Sequence, residues 1–355
     1  MRDFTLTTYK LLLTKLKAKS YQFFMFRDYR NNSKLEIKNE KILILRHDVD
    51  RLPENALATA RIENEMGIRG SYYFRIVPQS FDEKIIRQIA ELGHEIGYHY
   101  EDVDLAWRNR RWEVGSGKSK ALSNKPIEQS NIKDKFSNEL LIDLAFESFC
   151  KNLDKLRQIA EIKTICMHGS PLSKYDNKLL WTKYDYRKLD ILGEPYLDIN
   201  WSEFGYLTDT GRRWDGVAVR DKVRCDMSSV GSPQSAISSR QSAKDEATDN
   251  EASAEGILKS ATKKYQATSS HPNRDDCFQN MESGSRNTES AVSKKFKSTF
   301  DIIKNVDNLP NKLMITVHPE RWTDDWFLWS KQLVLQNIKN SVKRFYMFLT
   351  PIKKN

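Results

Sequence analysis

"KILILRHDVDRLPENALATARIENEMG", residues 41–67, joins an apolar run to a helical pattern, and this pair decides the fold class. The run KILILRH predicts a buried strand. Pro53 and Gly67 are the start and stop signals of a helix. The next segments repeat the pair, because SYYFRIV and HEIGYHY predict strands on either side of a helix at FDEKIIRQIAEL. Strands that alternate with helices at this spacing are typical of βαβ units and a parallel sheet.

The alternation resumes in the second half of the chain. We expect a long helix at residues 138–160, a strand at TICMHG, and short strands at YLDI and VAVR. A helix at FKSTFDIIKNV, a strand at LMITVH and a final helix at 326–343 complete the order. Leu11, Leu12 and Leu16 predict a short amphipathic helix near the N-terminus. About seven strands in this order predict a wound α/β sheet or a (β/α) barrel.

Residues 228–293 differ in composition from the rest of the chain. These 66 residues contain 15 serines and two aromatic residues, Tyr265 and Phe278. Such a segment buries too little apolar surface to offset the entropy of ordering, so we predict a disordered or loosely ordered insertion. A small extra lobe is the alternative. The predicted barrel domain then consists of residues 1–227 and 294–355.

Composition limits the class of protein and its compartment. The chain has 355 residues, 39% of them hydrophobic, and a formal net charge of +10 that no single segment concentrates, so no nucleic-acid partner is expected. The four cysteines lack ligand spacing, which favours a reducing compartment. No apolar window is long enough for a transmembrane segment, and no signal-peptide pattern is present. We expect a cytoplasmic protein; loose membrane association stays open, and the sequence does not predict the oligomeric state.

Histidines and carboxylates collect where the predicted strands end. In parallel α/β folds, reactive residues lie at the carboxyl edge of the sheet. Asp48 and Asp50 follow the first strand, and residues two apart on an extended chain point the same way. Two carboxylates so close are tolerated if a cation lies between them or if one is a metal ligand and the other a general base. The alternative is a turn in which Asp50 caps the helix that begins at Pro53.

The strand HEIGYHY carries one histidine at each end. His94 and His99 are five residues apart, so an extended strand places them on opposite faces and roughly 16 Å apart. We therefore expect His94 to be a hydrogen-bonded structural residue. His99 lies at the carboxyl end, with Glu101 two residues on. Asp50, His99 and Glu101 form a candidate three-ligand set for a divalent metal.

Two further histidines and several tryptophans are candidates for the same edge. His318 ends the strand LMITVH, where a histidine suits a general acid near neutral pH; a structural role is the alternative. His168 follows TICM in a tight turn, and substrate contact and a structural role are both open. Trp201, Trp214 and Trp322 are candidates to stack on sugar faces or to serve as packing residues.

Together these segments resemble the polysaccharide deacetylase family, also called the NodB-homology or carbohydrate esterase family 4 group. RHDVD resembles its first motif, which implies Asp48 as the catalytic base and Asp50 as a metal ligand. GHEIGYH matches the second motif and implies His99 as a ligand. LMITVH resembles the last motif and implies His318 as the catalytic acid. The resemblance implies a divergent member with a deformed (β/α) barrel of about seven strands and a bound divalent metal, usually zinc.

The chain departs from the family pattern at Val103, where the second motif usually places another metal-binding histidine. Glu101 replaces that histidine, or the ligand comes from elsewhere, or metal is bound weakly or not at all. The third motif is not recognisable, with HGSP in its place. DINW only loosely resembles the fourth motif, whose Asp and Trp support the site.

The resemblance implies a hydrolase acting on carbon–nitrogen bonds other than peptide bonds, which removes the N-acetyl group from a sugar or glycan precursor in polysaccharide biosynthesis. On this expectation His168, Trp201 and Trp322 contact the substrate. One alternative is an impaired deacetylase-like barrel that binds a glycan or a biosynthetic partner. Another is a metal-dependent hydrolase of a different acyl or phosphoryl ester.

Overall fold

A computed structural model describes most of the chain outside three longer gaps. The described residues are 2–31, 41–115, 138–169, 173, 175–214 and 296–349, without the side chains of 110–115, 138 and 342–349. The predicted insertion at 228–293 and the predicted strand VAVR at 217–220 lie outside these ranges.

Among the described residues, seven strands form one parallel sheet. They are β1 (Tyr21–Phe24), β2 (Lys41–Val49), β3 (Ser71–Phe74), β4 (Glu95–Tyr100), β5 (Ile162–Met167), β6 (Gly205–Thr208) and β7 (Lys312–Val317). The order is β5-β4-β3-β2-β7-β6. Along one side of β2, β1 pairs with the first half of the strand and β3 pairs with the second half. The chain is therefore an α/β protein. The described sheet ends at β5 on one side and β6 on the other, so a closed barrel stays a prediction.

The helices lie between the strands in the predicted alternation. They are α1 (Leu6–Ala18), α2 (Phe26–Asn31), α3 (Pro53–Glu65), α4 (Glu83–Glu91), α5 (Asp102–Gly115), α6 (Asn138–Arg157), α7 (Leu180–Lys183), α8 (Pro195–Asp198), α9 (Thr299–Lys304) and α10 (Trp326–Leu349). The predicted helices correspond to α1, α3, α4, α6, α9 and α10. None of the described helices is long and apolar enough to cross a membrane.

One predicted strand is wrong and two strands were not predicted. YLDI lies largely within α8, because Pro195 occupies the first turn and the Glu194 side chain caps the helix by accepting a hydrogen bond from the Leu197 N–H. The unpredicted strands β1 and β6 have only four residues each. A run that short carries little periodicity, so the sheet around it decides its conformation.

The two faces of β2 pack against different layers. Leu43 and Leu45 belong to an apolar cluster with α1 and α9, whereas Ile42 and Ile44 pack on the opposite face with Phe26 and Met314. Arg46 and Asp48 continue that second face toward the carboxyl edge of the sheet. The strand is buried along nearly its whole length, so these charged groups are held within the protein.

A β-bulge interrupts the pairing of β4 with β5. Ile96 pairs with Ile162, but Tyr98 pairs with Ile165, so β5 contains one extra residue. Beyond the bulge the pairing is regular, and His99 pairs with Cys166.

Candidate metal and acid–base site

The carboxyl ends of β2, β4 and β5 bring three possible metal ligands together. Asp50 Oδ1, His99 Nε2 and His168 Nδ1 form one group in which every ligand atom lies within 4.8 Å of the others. Asp50 Oδ1 is 3.1 Å from His168 Nδ1 and 3.6 Å from His99 Nε2, and the two nitrogens are 3.2 Å apart. Ligands around tetrahedral zinc are roughly 3.4 Å apart. The three distances are close to that value, so this group could hold a metal ion.

His99 is held in the form that binds a metal. Its Nδ1 lies 2.9 Å from the carbonyl oxygen of Cys166, which fixes the ring proton on Nδ1 and leaves the Nε2 lone pair facing Asp50 and His168. Burial lowers the pKa of His99 to about 4, although the Asp48 carboxylate opposes this shift. The ring is therefore neutral at neutral pH.

Asp50 and His168 form an ion pair at the more open side of the group. Burial alone would raise the pKa of Asp50, but the neighbouring His168 holds this pKa well below its usual range. Burial alone would lower the pKa of His168, but Asp50 outweighs it and raises the pKa. Asp50 Oδ1 is buried and accepts no well-aligned hydrogen bond. A metal ion would supply that oxygen with a partner and displace the proton from His168.

Asp48, His99 and Cys166 form a second possible ligand group, wholly buried. Asp48 Oδ2 is 3.8 Å from His99 Nε2. Both oxygens of Asp48, however, already accept hydrogen bonds from Arg46, at 2.8 and 2.6 Å. A metal ion there would compete with the guanidinium, so the group containing Asp50 is the better candidate.

Arg46, which sequence reasoning missed, controls the ionisation of Asp48. Both side chains are buried, and burial alone would raise the pKa of Asp48, but the guanidinium lowers it to about 2. Arg46 Nη2 also donates to the Tyr196 hydroxyl at 3.0 Å. Asp48 is therefore an oriented carboxylate at neutral pH.

The structure does not bring the predicted ligand Glu101 into either group. Its carboxylate pairs with Arg75, whose Nη2 lies 2.6 and 2.8 Å from the two oxygens. Val103 is fully buried among apolar residues. The third candidate ligand at the better site is His168, which directly follows β5. This is one of the alternatives that the sequence left open, namely a ligand from elsewhere.

His318 lies at the end of β7 and is oriented by Asp209, which the sequence did not single out. His318 Nδ1 is 2.6 Å from Asp209 Oδ1, and the backbone N–H of His318 donates to the same carboxylate. Burial and Arg321 lower the pKa of His318, but Asp209 outweighs them and raises it. His318 follows Val317, which pairs with His47 of β2, so His318 lies level with Asp48 at the same edge of the sheet.

Trp322 has a supporting position and does not present a ring face to a substrate. It is fully buried, its ring packs on Phe4 and Tyr9, and its indole N–H donates to Asp209 Oδ2 at 2.7 Å. The structure thus corrects the expectation that a sugar stacks on Trp322. Trp214 is also buried and donates to Thr299.

The segment DINW, which only loosely resembles the fourth motif, makes its described contacts away from the ligand group. Trp201 is half-buried and packs edge-on against Tyr206, with ring centres 5.4 Å apart, and its contact with a substrate stays a prediction. Asp198 pairs with Arg30 and Arg187. The carboxylate that orients His318 comes instead from Asp209, which directly follows β6. Recognition of the short strand β6 would have identified it.

His94 is a structural residue, as predicted. Its Nδ1 accepts the Gly70 N–H at 3.1 Å, and its Nε2 lies 3.0 Å from the Ala60 carbonyl oxygen. Burial lowers the pKa of His94, which keeps the ring neutral. Both ring nitrogens are therefore engaged in the amino half of the sheet.

The fold and the site together define a parallel α/β protein with a buried Asp and His group that could hold a metal ion. No family model, curated protein or solved structure matches this chain. The likeness to polysaccharide deacetylases therefore rests on the sequence motifs alone.

We expect Arg46→Met to lower the free energy of unfolding by about 3–5 kcal/mol, because it leaves the buried carboxylate of Asp48 unpaired. Arg46→Met combined with Asp48→Asn should recover part of that loss. Urea denaturation at neutral pH measures both. Equal stability of Arg46→Met and the wild type would contradict a buried ion pair at this position.

The same pair predicts a pH dependence of stability. Because the folded-state pKa of Asp48 is lowered to about 2, its contribution is fully present above about pH 4 and is lost as the pH falls toward 2. This contribution is about 2 kcal/mol. Unfolding of the wild type and Asp48→Asn, compared from pH 7 to pH 3, should show a steeper acid loss in the wild type.

Proposed function

We propose that this chain is a metal-dependent hydrolase that removes the N-acetyl group from a sugar or glycan precursor. The observation that carries the proposal is the arrangement of the site. Three candidate ligand atoms lie 3.1–3.6 Å apart at the same sheet edge as an ionised carboxylate, Asp48, and a histidine whose pKa Asp209 raises, His318. A proton acceptor and a proton donor next to one ligand group suit hydrolysis of an amide bond.

Asp50, His99 and His168 would hold the metal, and we propose zinc because two imidazoles and one carboxylate are a common catalytic donor set for it. When bound, the metal would activate a water molecule and polarise the acyl carbonyl group. The side chains of Asp50 and His168 are 21% and 16% exposed, so water and substrate can approach the group from that side.

The other residues of the site would move the protons. Asp48 would accept the proton of the attacking water, and Arg46 would hold its carboxylate in place. His318 would donate a proton to the departing amine, which releases acetate and the free amino sugar. Asp209 would stabilise the charged imidazole and fix its orientation, as a carboxylate does for the histidine of a catalytic triad.

A glycan-binding protein without hydrolysis is the second candidate function. The lowered pKa of Asp48 favours it, because a carboxylate with a pKa of about 2 is a weak general base. The two candidates differ in what happens to a bound N-acetyl sugar. Only the hydrolase releases acetate.

The test is acetate release by the zinc-loaded chain from a panel of N-acetylated sugars and oligosaccharides. We expect Asp48→Asn to lower the rate by about 10²–10⁴-fold, the contribution of a positioned base. Asp154→Asn, an exposed carboxylate on α6, is the matched control and should leave the rate unchanged. Equal acetate release by the wild type and Asp48→Asn would contradict the proposed mechanism. Binding without release, measured by calorimetry, would favour the second candidate.

A further inference from the structure

Helix α10 lies on the protein with polar groups facing inward. Arg212 Nη1 donates to the backbone oxygen of Trp329 at 3.3 Å and to Gln332 Oε1 at 3.4 Å, and Gln332 is buried. Gln336 lies one turn further along this face and donates to the side chain of Asn340, which lies one turn beyond it. Asn340 in turn donates to the backbone oxygen of Gly211. An amphipathic helix on a globular protein normally places its apolar face there. In α10 the inward contacts of Gln332, Gln336 and Asn340 are polar, and Trp329 is the aromatic residue that packs inward beside them, against Arg2 and Arg212.

The outward face of α10 is apolar. Five large hydrophobic side chains on this face are between 45% and 74% exposed, namely Trp326, Phe327, Val334, Leu335 and Ile338. Phe327, Val334 and Ile338 are spaced seven and four residues apart, so they form one stripe along the helix. Five of the eight exposed large hydrophobic residues among the described ones belong to this helix, which marks it as an interaction surface.

The charges of α10 indicate what this surface binds. Its sequence contains no Asp or Glu and four basic residues, Lys331, Lys339, Lys343 and Arg344. Lys331 and Lys339 are exposed beside the apolar stripe. The whole chain carries a formal net charge of +10. Apolar and aromatic residues flanked by lysines, without acidic residues, are typical of helices that lie in the interface of an anionic membrane.

We propose that the outward face of α10 binds the surface of a membrane that contains anionic lipids. Phe327, Val334 and Ile338 enter the boundary between headgroups and acyl chains, and Lys331 and Lys339 reach the lipid phosphates with their flexible stems. A second copy of the chain is a poorer partner, because two α10 helices that meet face to face bring their positive charges together. The helix lies in the membrane plane and does not span the bilayer.

The test is co-sedimentation of the full chain with vesicles of phosphatidylcholine alone or mixed with phosphatidylglycerol. We expect binding to the mixed vesicles only, and weaker binding in high salt, which screens the lysines. The double variant Phe327→Ser, Ile338→Ser should weaken binding at least about tenfold, because it removes two apolar side chains that become buried in the membrane on binding. Lys331→Glu with Lys339→Glu should weaken it by a similar factor.

Matched controls come from α6, where Leu144→Ser and Lys151→Glu alter an exposed leucine and an exposed lysine. These variants should bind vesicles like the wild type. Circular dichroism and light scattering on every variant report folding and mass. Failure of the wild type to bind mixed vesicles, or equal binding by the α10 variants, overturns the proposal. A dimer that the α10 variants dissociate, without vesicle binding, would assign the face to a second copy instead. None of these readouts depends on hydrolysis.

Discussion

Replacing His168 with alanine should lower the affinity of the chain for Zn²⁺ by at least about a hundredfold, because even the outer contacts of a metal site contribute 10–100-fold. His168 Nδ1 is the atom closest to both of the other ligand atoms of the group. Its loss leaves only Asp50 and His99. Metal content after dialysis and calorimetric titration with Zn²⁺ measure the effect.

Glu101→Gln is the control for that result. The sequence made Glu101 the third ligand, whereas in the structure its carboxylate pairs with Arg75. Glutamine preserves one acceptor for Arg75, so Zn²⁺ affinity should stay within a few-fold of the wild type. The opposite outcome, a larger loss in Glu101→Gln than in His168→Ala, would restore Glu101 as the ligand. Zn²⁺ should also raise the thermal midpoint of the wild type more than that of His168→Ala.

The second large effect concerns His318 and Asp209. On the proposed reaction, His318→Ala should lower acetate release by about 10²–10⁴-fold, because the departing amine loses its proton donor. Zn²⁺ affinity should change little, since His318 is not among the described ligand groups. A parallel loss of Zn²⁺ affinity and rate would indicate a ligand in place of an acid.

Asp209→Asn keeps a hydrogen-bond partner for His318 but removes the negative charge, so it tests whether Asp209 sets the ionisation of His318. Asp209 raises the pKa of His318, and a histidine that acts as an acid loses activity as the pH rises through its pKa. Removing the negative charge lowers that pKa, so the alkaline limb of the rate profile should move to lower pH. Asp301→Asn, at the third position of α9 where the carboxylate accepts the Ser298 N–H, is a control that should leave the limb in place. An unmoved limb in Asp209→Asn would show that another group sets it.

Four residues of the candidate site could be singled out from the sequence because they follow apolar runs. Asp48, Asp50, His99 and His318 all stand at or just beyond the end of a predicted strand, and parallel topology brings such ends to one edge. The role of His168 depended on which strands are neighbours. Its ring meets His99 because β5 pairs with β4, and no spacing along the chain reports that contact.

The prediction for Glu101 rested on strand alternation, which does not extend that far. The strand β4 ends at Tyr100 and α5 begins at Asp102, so Glu101 lies at a turn where the rule of two-residue spacing no longer applies. Arg75, just after β3, then determines its orientation. Arg46 was missed because the sequence around a charged residue in an apolar run does not show which group that residue will pair with.

The bulge in β5 determines on which face of the sheet each later side chain of that strand lies. Ile162 and Ile165 belong to the same apolar cluster although they are three residues apart, a spacing that a regular strand would divide between its two faces. The extra residue therefore reverses the alternation, and His168 emerges facing Asp50 and His99. Deleting the extra residue would restore a regular strand and leave this histidine facing the same way, whereas regular pairing of all six residues, without a bulge, would turn it to the opposite face. The bulged conformation thus determines whether the edge of this sheet has two candidate metal ligands or three.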